Sequence, residues 1–298
     1  MRCSIVIAVA VAACSGDDAG DSDWMTSLPD SANLAALTIP GTHDSGAQHE
    51  PAAGIAQTQN LTFADQLSAG VRYFDVRCRN FDDQFLIYHG SIDQSQTYDD
   101  VLAAMYSFLD AHPKETIIIS VKEELDAQGA TMSFEQVFDN YVALHPERWY
   151  LGATVPALGD VRGKLVLLRR FESLASPLGI AGPPTVWADN ATFTITDADA
   201  TLRIEDNYIV TDDSVKWTDI TSLFGEARAN SDPVTLYLAY TSGYQTIMSL
   251  PNIPSVSDTI DAMLNSFFAD PANVHARFGI VVMDFVTAAR VRAVLSTN

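Results

Sequence analysis

The chain of 298 residues predicts a single α/β domain of the (β/α)8-barrel type. Three observations predict it. Apolar runs such as "TIIISV", "KLVLL" and "GIVVM" have the unbroken hydrophobicity of strands covered on both faces, as in parallel sheets. Strand and helix patterns alternate along the chain, about eight units in all, with no strong mid-chain linker and no internal repeat. Charged and reactive residue types recur at the C-terminal ends of the strands, the end at which barrel active sites are built.

The elements follow in order. A strand over 36–40 runs into the Pro-Gly turn of "IPGTHDSG", which places His43 and Asp44 directly after it. A loop that only reverses direction needs Pro and Gly; it does not need an imidazole and a carboxylate. After a helix over 63–69, a strand over 71–78 carries Asp75 and Arg77, which are two apart and share a face. A strand over 85–88 ends at His89, and a helix over 98–111 follows. The strand 116–121 runs into Lys122 and Glu124, again on one face. A helix over 133–143 leads to a strand over 164–169 ending in Arg169 and Arg170, of which strand parity selects Arg170. Residues 172–207 have no regular pattern, and further strands are predicted at 208–210 and 235–239. A helix over 255–268 and a strand over 279–285, carrying Asp284, complete the domain.

Composition narrows the function. Acidic residues outnumber basic ones by 38 to 17, a formal charge of −21. That excludes nucleic acid as a partner and gives no general attraction to anionic membranes. Any phosphate chemistry must then concentrate the few cations at one place. The N-terminus, "MRCSIVIAVAVAACSGDDAGDSDW", has Arg2, an apolar run over 5–13 too short to span a bilayer, and small residues before Cys14. It is similar to a bacterial lipoprotein signal. Residues 1–13 would be the signal, Cys14 the lipidated residue, 14–30 an acidic tether and 31–298 the catalytic barrel. The alternative is an ordinary secretory signal cut near the same place; on either reading the protein is exported. Cys78 is then the one cysteine left, so neither a disulfide framework nor a cysteine metal site is available, and burial as an apolar side chain is expected. A monomer is expected.

The residue types at the strand ends suggest the chemistry. Two histidines can act as general base and general acid near neutral pH. An arginine between them can hold a phosphate and stabilise charge developing on its oxygens. That set suits cleavage of a phosphodiester by an internal hydroxyl and needs no metal if the arginine supplies the metal's electrostatic work. No His-x-His or Glu-x-x-His ligand set occurs, and Arg77 occupies the place beside Asp75 that a cation would want.

The motifs "IPGTHDSG", "RYFDVRCR", "YHGSI", "ETIIISVKEE", "GKLVLLRRF", "IEDNY" and "VVMDF" resemble, in order and spacing, those of the bacterial phosphatidylinositol-specific phospholipases C and their catalytic X domain. The match runs over 34–287. The resemblance implies a distorted, incompletely closed TIM barrel. It also implies attack of the inositol 2-hydroxyl on phosphorus, giving a cyclic inositol phosphate and diacylglycerol. His43 would be the general base, oriented by Asp284, and His89 the general acid, assisted by Asp44. Arg77 would bind the phosphate with Asp75 positioning it. Lys122, Arg170, Asp206 and Tyr208 match inositol-binding positions, and Glu124 would hold the neighbouring cations. Calcium-using relatives carry Asn after the first histidine and acidic residues on the second strand; with Asp44 and the Asp75–Arg77 pair here, the chain reads as a metal-independent member without a cofactor. The implied partner is phosphatidylinositol or an inositol-phosphate head group, at a membrane surface reached through the substrate and the lipid anchor. The segment after "THDSG" offers Ile55 as its one large apolar residue and no Trp, so no aromatic membrane rim is predicted there. Two other readings remain open: a metal-dependent glycerophosphodiester phosphodiesterase, and a surface lipoprotein that binds inositol phosphates or glycans without turnover.

Overall fold

Alternation along the strands organises the structure, a computed structural model that describes residues 21–51 and 54–298. The expected signal segment 1–13 and Cys14 lie outside the described residues. The elements are β1 Ile39–Thr42, α1 Phe63–Ser68, β2 Tyr73–Phe81, β3 Gln84–His89, β4 Ile92–Thr97, α2 Tyr98–Ala111, β5 Ile117–Gln128 and α3 Phe134–Leu144. They continue with β6 Trp149–Tyr150, α4 Leu158–Val161, β7 Leu165–Arg170, β8 Ile180–Ala181, β9 Ala191–Thr196, β10 Thr201–Asp206 and α5 Asp213–Ala229. Last come β11 Thr235–Tyr240, β12 Gln245–Ile247, β13 Leu250–Asn252, α6 Ile253–Phe268, β14 Ile280–Met283 and α7 Ala288–Leu295. One sheet runs β6-β7-β5-β2-β1-β14-β11-β10-β9, with parallel neighbours except at β9–β10. No ladder joins its two edges among the described residues, so the barrel is curled and open, as the sequence reading expected.

The register puts one residue set inside. Ile39 and Gly41 pair with Ile280 and Val282; Tyr73, Asp75 and Arg77 pair with Ile118, Ser120 and Lys122. Leu202, Ile204, Leu236, Leu238 and Tyr240 complete an inner apolar cluster with Val166 and Leu168. The intervening residues, such as Phe74, Ile119 and Leu167, pack outward against the helices. Along each strand the inner face is apolar first and polar last. A hydrogen bond between the Tyr73 and Tyr240 hydroxyls, 3.0 Å, marks that change of level.

Three sequence expectations are corrected. The strand predicted at 85–88 is β3, but it is no barrel strand: it pairs antiparallel with β2 through a tight turn in which Asp82 and Asp83 both have positive φ. Residues 208–210 form no strand; Ile209 makes a lone bridge to Tyr244, and the barrel strand is β10, inside the stretch read as irregular. The tether assigned to 14–30 ends earlier than expected. Residues 24–27 form a 3-10 turn with Met25 fully buried, because Glu115 accepts from the Met25 amide and Thr26 hydroxyl while Arg162 donates to the Met25 and Leu28 carbonyls. Met25, Leu34 and Leu37 join the inner cluster at the N-terminal ends of the strands and form the barrel's floor. Cys78 is free and buried.

Candidate active site

The site is built by extending the register one step past the strands. Gly41 pairs with Val282, so His43 and Asp284 face each other just beyond the ladder, and His43 N donates to Met283 O at 3.0 Å. Gly41 is required there: a Cβ would stand 2.8 Å from the Tyr73 ring. Asp44 then turns in a left-handed conformation (φ 39°), and Ser45 N donates to Asp75 O, which ties the "THDSG" turn to β2.

His43 Nδ1 and Asp284 Oδ1 are 2.8 Å apart. Burial lowers the imidazole pKa, but the Asp284 carboxylate more than offsets this, and the net shift is upward. With Nδ1 donating to the carboxylate, Nε2 is left as the free acceptor. His89 Nδ1 lies 2.6 Å from the Ala56 carbonyl, which can only accept, so Nδ1 carries a proton and Nε2 points elsewhere, 3.6 Å from Asp44 Oδ2. The two imidazole rings are 6.3 Å apart between centroids, nearly perpendicular.

Arg77 is held by acids. Its Nε and Nη2 both donate to Asp75 Oδ2, at 3.0 and 2.9 Å, and Nη1 lies 3.4 Å from Asp44 and 3.7 Å from Glu124. Asp75 is fully buried, and its Oδ1 accepts from Arg170 at 3.2 Å. Burial would raise this carboxyl's pKa; Arg77 and Arg170 outweigh it and hold the group below the usual carboxylate range. Asp44 is different. Burial pushes it upward against Arg77 and His89, and neither of its oxygens has a hydrogen bond within the protein. Lys122 is bound at 2.6 Å by Glu124, which also accepts from the Gly90 amide. Burial and repulsion from Arg77 lower the ammonium's pKa.

These groups surround one cavity of about 400 Å³, lined by His43, Arg77, His89, Lys122, Arg170, Asp206, Tyr208 and Asp284 among others. Three of the chain's 17 basic residues therefore converge on a space sized for a small polar ligand. Asp44, Asp75 and Glu124 stand behind the lining and hold it. Arg170 faces the cavity, whereas Arg169 turns away to the carbonyls of Leu178 and Phe171. Among the described residues no group of three or more acidic, His or Cys side chains is arranged to hold a metal ion.

Sequence reasoning missed several residues. Trp187 lies over the Arg170 guanidinium at 3.7 Å and donates to Asp206 at 3.0 Å. Asp189 accepts from the Tyr208 hydroxyl at 2.6 Å. Both come from the loop read as irregular and carried no sequence signal. Tyr240 touches Arg170 and ends β11, so the strand-end rule that found the others would have found it. The mouth is also more apolar than expected. Of the ten exposed large apolar residues among those described, seven leave the C-terminal side of the barrel: Leu174, Val186, Ile209, Val215, and Ile247, Met248 and Leu250 on the β12–β13 hairpin. This rim is aliphatic and comes from loops other than the one after "THDSG".

An open parallel barrel with a cationic, histidine-bearing cavity at its C-terminal mouth is an α/β-barrel enzyme. Residues 38–171 match the family model for the phosphatidylinositol-specific phospholipase C X domain. A 1-phosphatidylinositol phosphodiesterase of Staphylococcus aureus (strain Newman) is 30% identical over 284 residues, covering 88% of each chain. The corresponding protein of Listeria monocytogenes is 38% identical over 156 residues, covering 49% of this chain and 47% of that one. A structure of the F249X mutant of the S. aureus phosphatidylinositol-specific phospholipase C superimposes with a TM-score of 0.84 at 27% identity, over 94% of this chain and 98% of that one. The L. monocytogenes enzyme superimposes with a TM-score of 0.77 at 26% identity, over 93% and 98%. The chain belongs to the phosphatidylinositol-specific phospholipase C family.

Proposed function

We propose that this protein cleaves the glycerol–phosphate ester of phosphatidylinositol, or of glycosylated phosphatidylinositol, without a metal ion. The observation that carries the reading is the pair of histidines, 6.3 Å apart between ring centroids, at a cavity that also exposes Arg77. His43 Nε2 takes the proton of the inositol 2-hydroxyl as that oxygen bonds to phosphorus. The bond from phosphorus to the glycerol oxygen breaks, and His89 Nε2 returns a proton to the leaving oxygen. Diacylglycerol and a cyclic inositol phosphate result, with no water consumed. Asp284 orients and charge-stabilises His43, and Asp44 supports the imidazolium of His89. Arg77, positioned by Asp75, binds the phosphate oxygens. Lys122, Arg170, Asp206 and Tyr208 bind the inositol ring, and Glu124 keeps Lys122 and Arg77 in place. The names of the similar S. aureus and L. monocytogenes proteins support the substrate, and the aliphatic rim supports a lipid surface as the place of action.

A phosphorus NMR time course with phosphatidylinositol, with and without chelator, tests the reading. A cyclic phosphate resonance that grows at the same rate in both is expected. Loss of turnover after chelation would favour the metal-dependent glycerophosphodiesterase. Tight head-group binding with no product would favour a non-catalytic binder. The exported, lipid-anchored form belongs to the same proposal: mass spectrometry should find a mature chain beginning at a lipidated Cys14, and C14S should be released or left unprocessed.

A further inference from the structure

We propose that Arg290, backed by Asp261, is a positioning residue that fixes Asp284 where its carboxylate orients His43. The inference rests on the His43–Asp284 base assignment above. Asp284 stands just past β14, and the next residue, Phe285, is in a left-handed conformation (φ 44°). A bulky residue holds that conformation only when its surroundings enforce it. On one side the enforcing contacts come from the segment before α1: Phe285 N donates to Thr58 O, and the Gln59 side chain binds Met283 O and Val286 N. On the other side, among the described residues, one side chain binds this backbone, while the Gly243 amide reaches the Asp284 carboxylate at 3.4 Å. Arg290 Nη1 donates to the Asp284 carbonyl at 3.1 Å and to the Phe285 carbonyl at 2.8 Å.

Arg290 is itself held from a second helix. Its Nη2 lies 2.6 Å from Asp261 Oδ2 on α6, and that oxygen also accepts from Ser257 at 2.9 Å. The two side chains are 15% and 8% exposed, burial raises the Asp261 carboxyl pKa to about 7 against the pull of Arg290, and neither lines the cavity. An ion pair this buried seldom repays its desolvation as stability. Its contacts run to the backbone that carries the partner of His43. A carboxylate displaced by about 1 Å no longer holds the imidazole in a productive pose, a displacement that costs on the order of a hundredfold.

The test is a double-mutant cycle. Arg290→Met and Arg290→Lys are each made in the wild-type and Asp284→Asn backgrounds, with kcat, KM and thermal melts measured for all. Arg290→Met is expected to lower kcat roughly 10- to 100-fold at nearly unchanged KM. Arg290→Lys, which keeps the charge beside Asp261 but loses the fork, is expected to lose less. In the Asp284→Asn background neither substitution should lower kcat further by more than about twofold, because the two residues act through one group. An equal loss in both backgrounds would assign Arg290 a structural role and overturn the proposal, as would unchanged kcat in Arg290→Met. If Arg290→Met fails to fold, the Arg290→Lys cycle decides by the same criterion. Impairment in Asp284→Asn with none in the Arg290 variants sinks this inference alone. Full activity in Asp284→Asn sinks the base assignment and this inference with it.

Discussion

Replacing Arg77 by lysine separates the charge at the phosphate site from its geometry. In the wild type, Nε and Nη2 are both spent on Asp75, and Nη1 lies 3.4 Å from Asp44 and 3.7 Å from Glu124. Three carboxylates thus fix the guanidinium plane before any substrate arrives. A lysine keeps the positive charge but presents a compact ammonium on a flexible stem. The fully buried Asp75 competes for it first, since an unpaired buried carboxylate is the costlier outcome. The phosphate then loses at least one preorganised donor, worth roughly 2.7–4 kcal/mol, so kcat should fall about 10²- to 10³-fold. Folding should survive, because Asp75 keeps its 3.2 Å contact to Arg170. The lost hydrogen bonds to a charged group should cost about 1.5–3 kcal/mol of stability. Initial rates of cyclic phosphate formation followed by phosphorus NMR, beside a thermal melt, measure both quantities. A variant that folds and retains kcat within about fivefold, roughly 1 kcal/mol of barrier, would refute the argument that the fork carries the chemistry.

Three further outcomes are expected. His43 has a raised pKa, so it is protonated and inactive as a base until pH exceeds the ordinary imidazole value, and the acid limb of kcat/KM should lie above about 6.5. D284N removes the main opposition to burial and to Arg77, leaving only the weaker pull of Asp75, and should move that limb below this value; a limb unmoved by D284N would disprove the coupling. By the same linkage, the His43–Asp284 pair stabilises the fold below the unfolded histidine value and loses that contribution as pH rises through the folded one. Met248, 95% exposed at the hairpin tip, is expected to act only at a lipid surface. M248D should slow cleavage of vesicle phosphatidylinositol and leave a short-chain, monomeric substrate untouched, and equal losses on both would count against a membrane-facing rim. Lys216 is 2% exposed and donates to both oxygens of the fully buried Glu205. K216M should destabilise the fold by roughly 3–5 kcal/mol by leaving that carboxylate unpaired; a denaturant midpoint close to wild type would contradict this.

The barrel and most of the cavity were legible because the informative residues sit one or two positions past apolar runs. "IPGTHDSG" and "FDVR" each carry a strand, its end and the reactive side chains in a single short window. The failures have a common physical cause. β10, "TLRIED", was unread because its helix-facing side ends in a buried glutamate, and α5 was unread because its buried stripe begins at Lys216 before passing to Ile220, Leu223, Phe224 and Ala227. Those two charges neutralise each other, and Lys216 also donates to Tyr240 O, so each element hides its period behind the residue that pairs with the other. A pattern search that equates buried with apolar loses both at once. The β3 error was of another kind: an Asp-Asp turn makes a hairpin that lacks the glycine by which such turns are usually recognised. Trp187 and Asp189 meet the cavity from a loop whose path only tertiary packing decides.

The floor of the barrel sets the end of the domain to which the front of the chain is joined. Asp21 is bound to Arg292 on α7, and Ser22 to Arg72 just before β2, so the chain enters at the end of the barrel opposite the mouth. A six-residue strand separates the two ends by about 20 Å before loops are added. A molecule held close against a surface by residues preceding Asp21 would present its floor to that surface and its mouth away from it. It would reach substrate on an opposing surface more readily than on the one that holds it, and density of tethering would govern how many mouths meet that second surface.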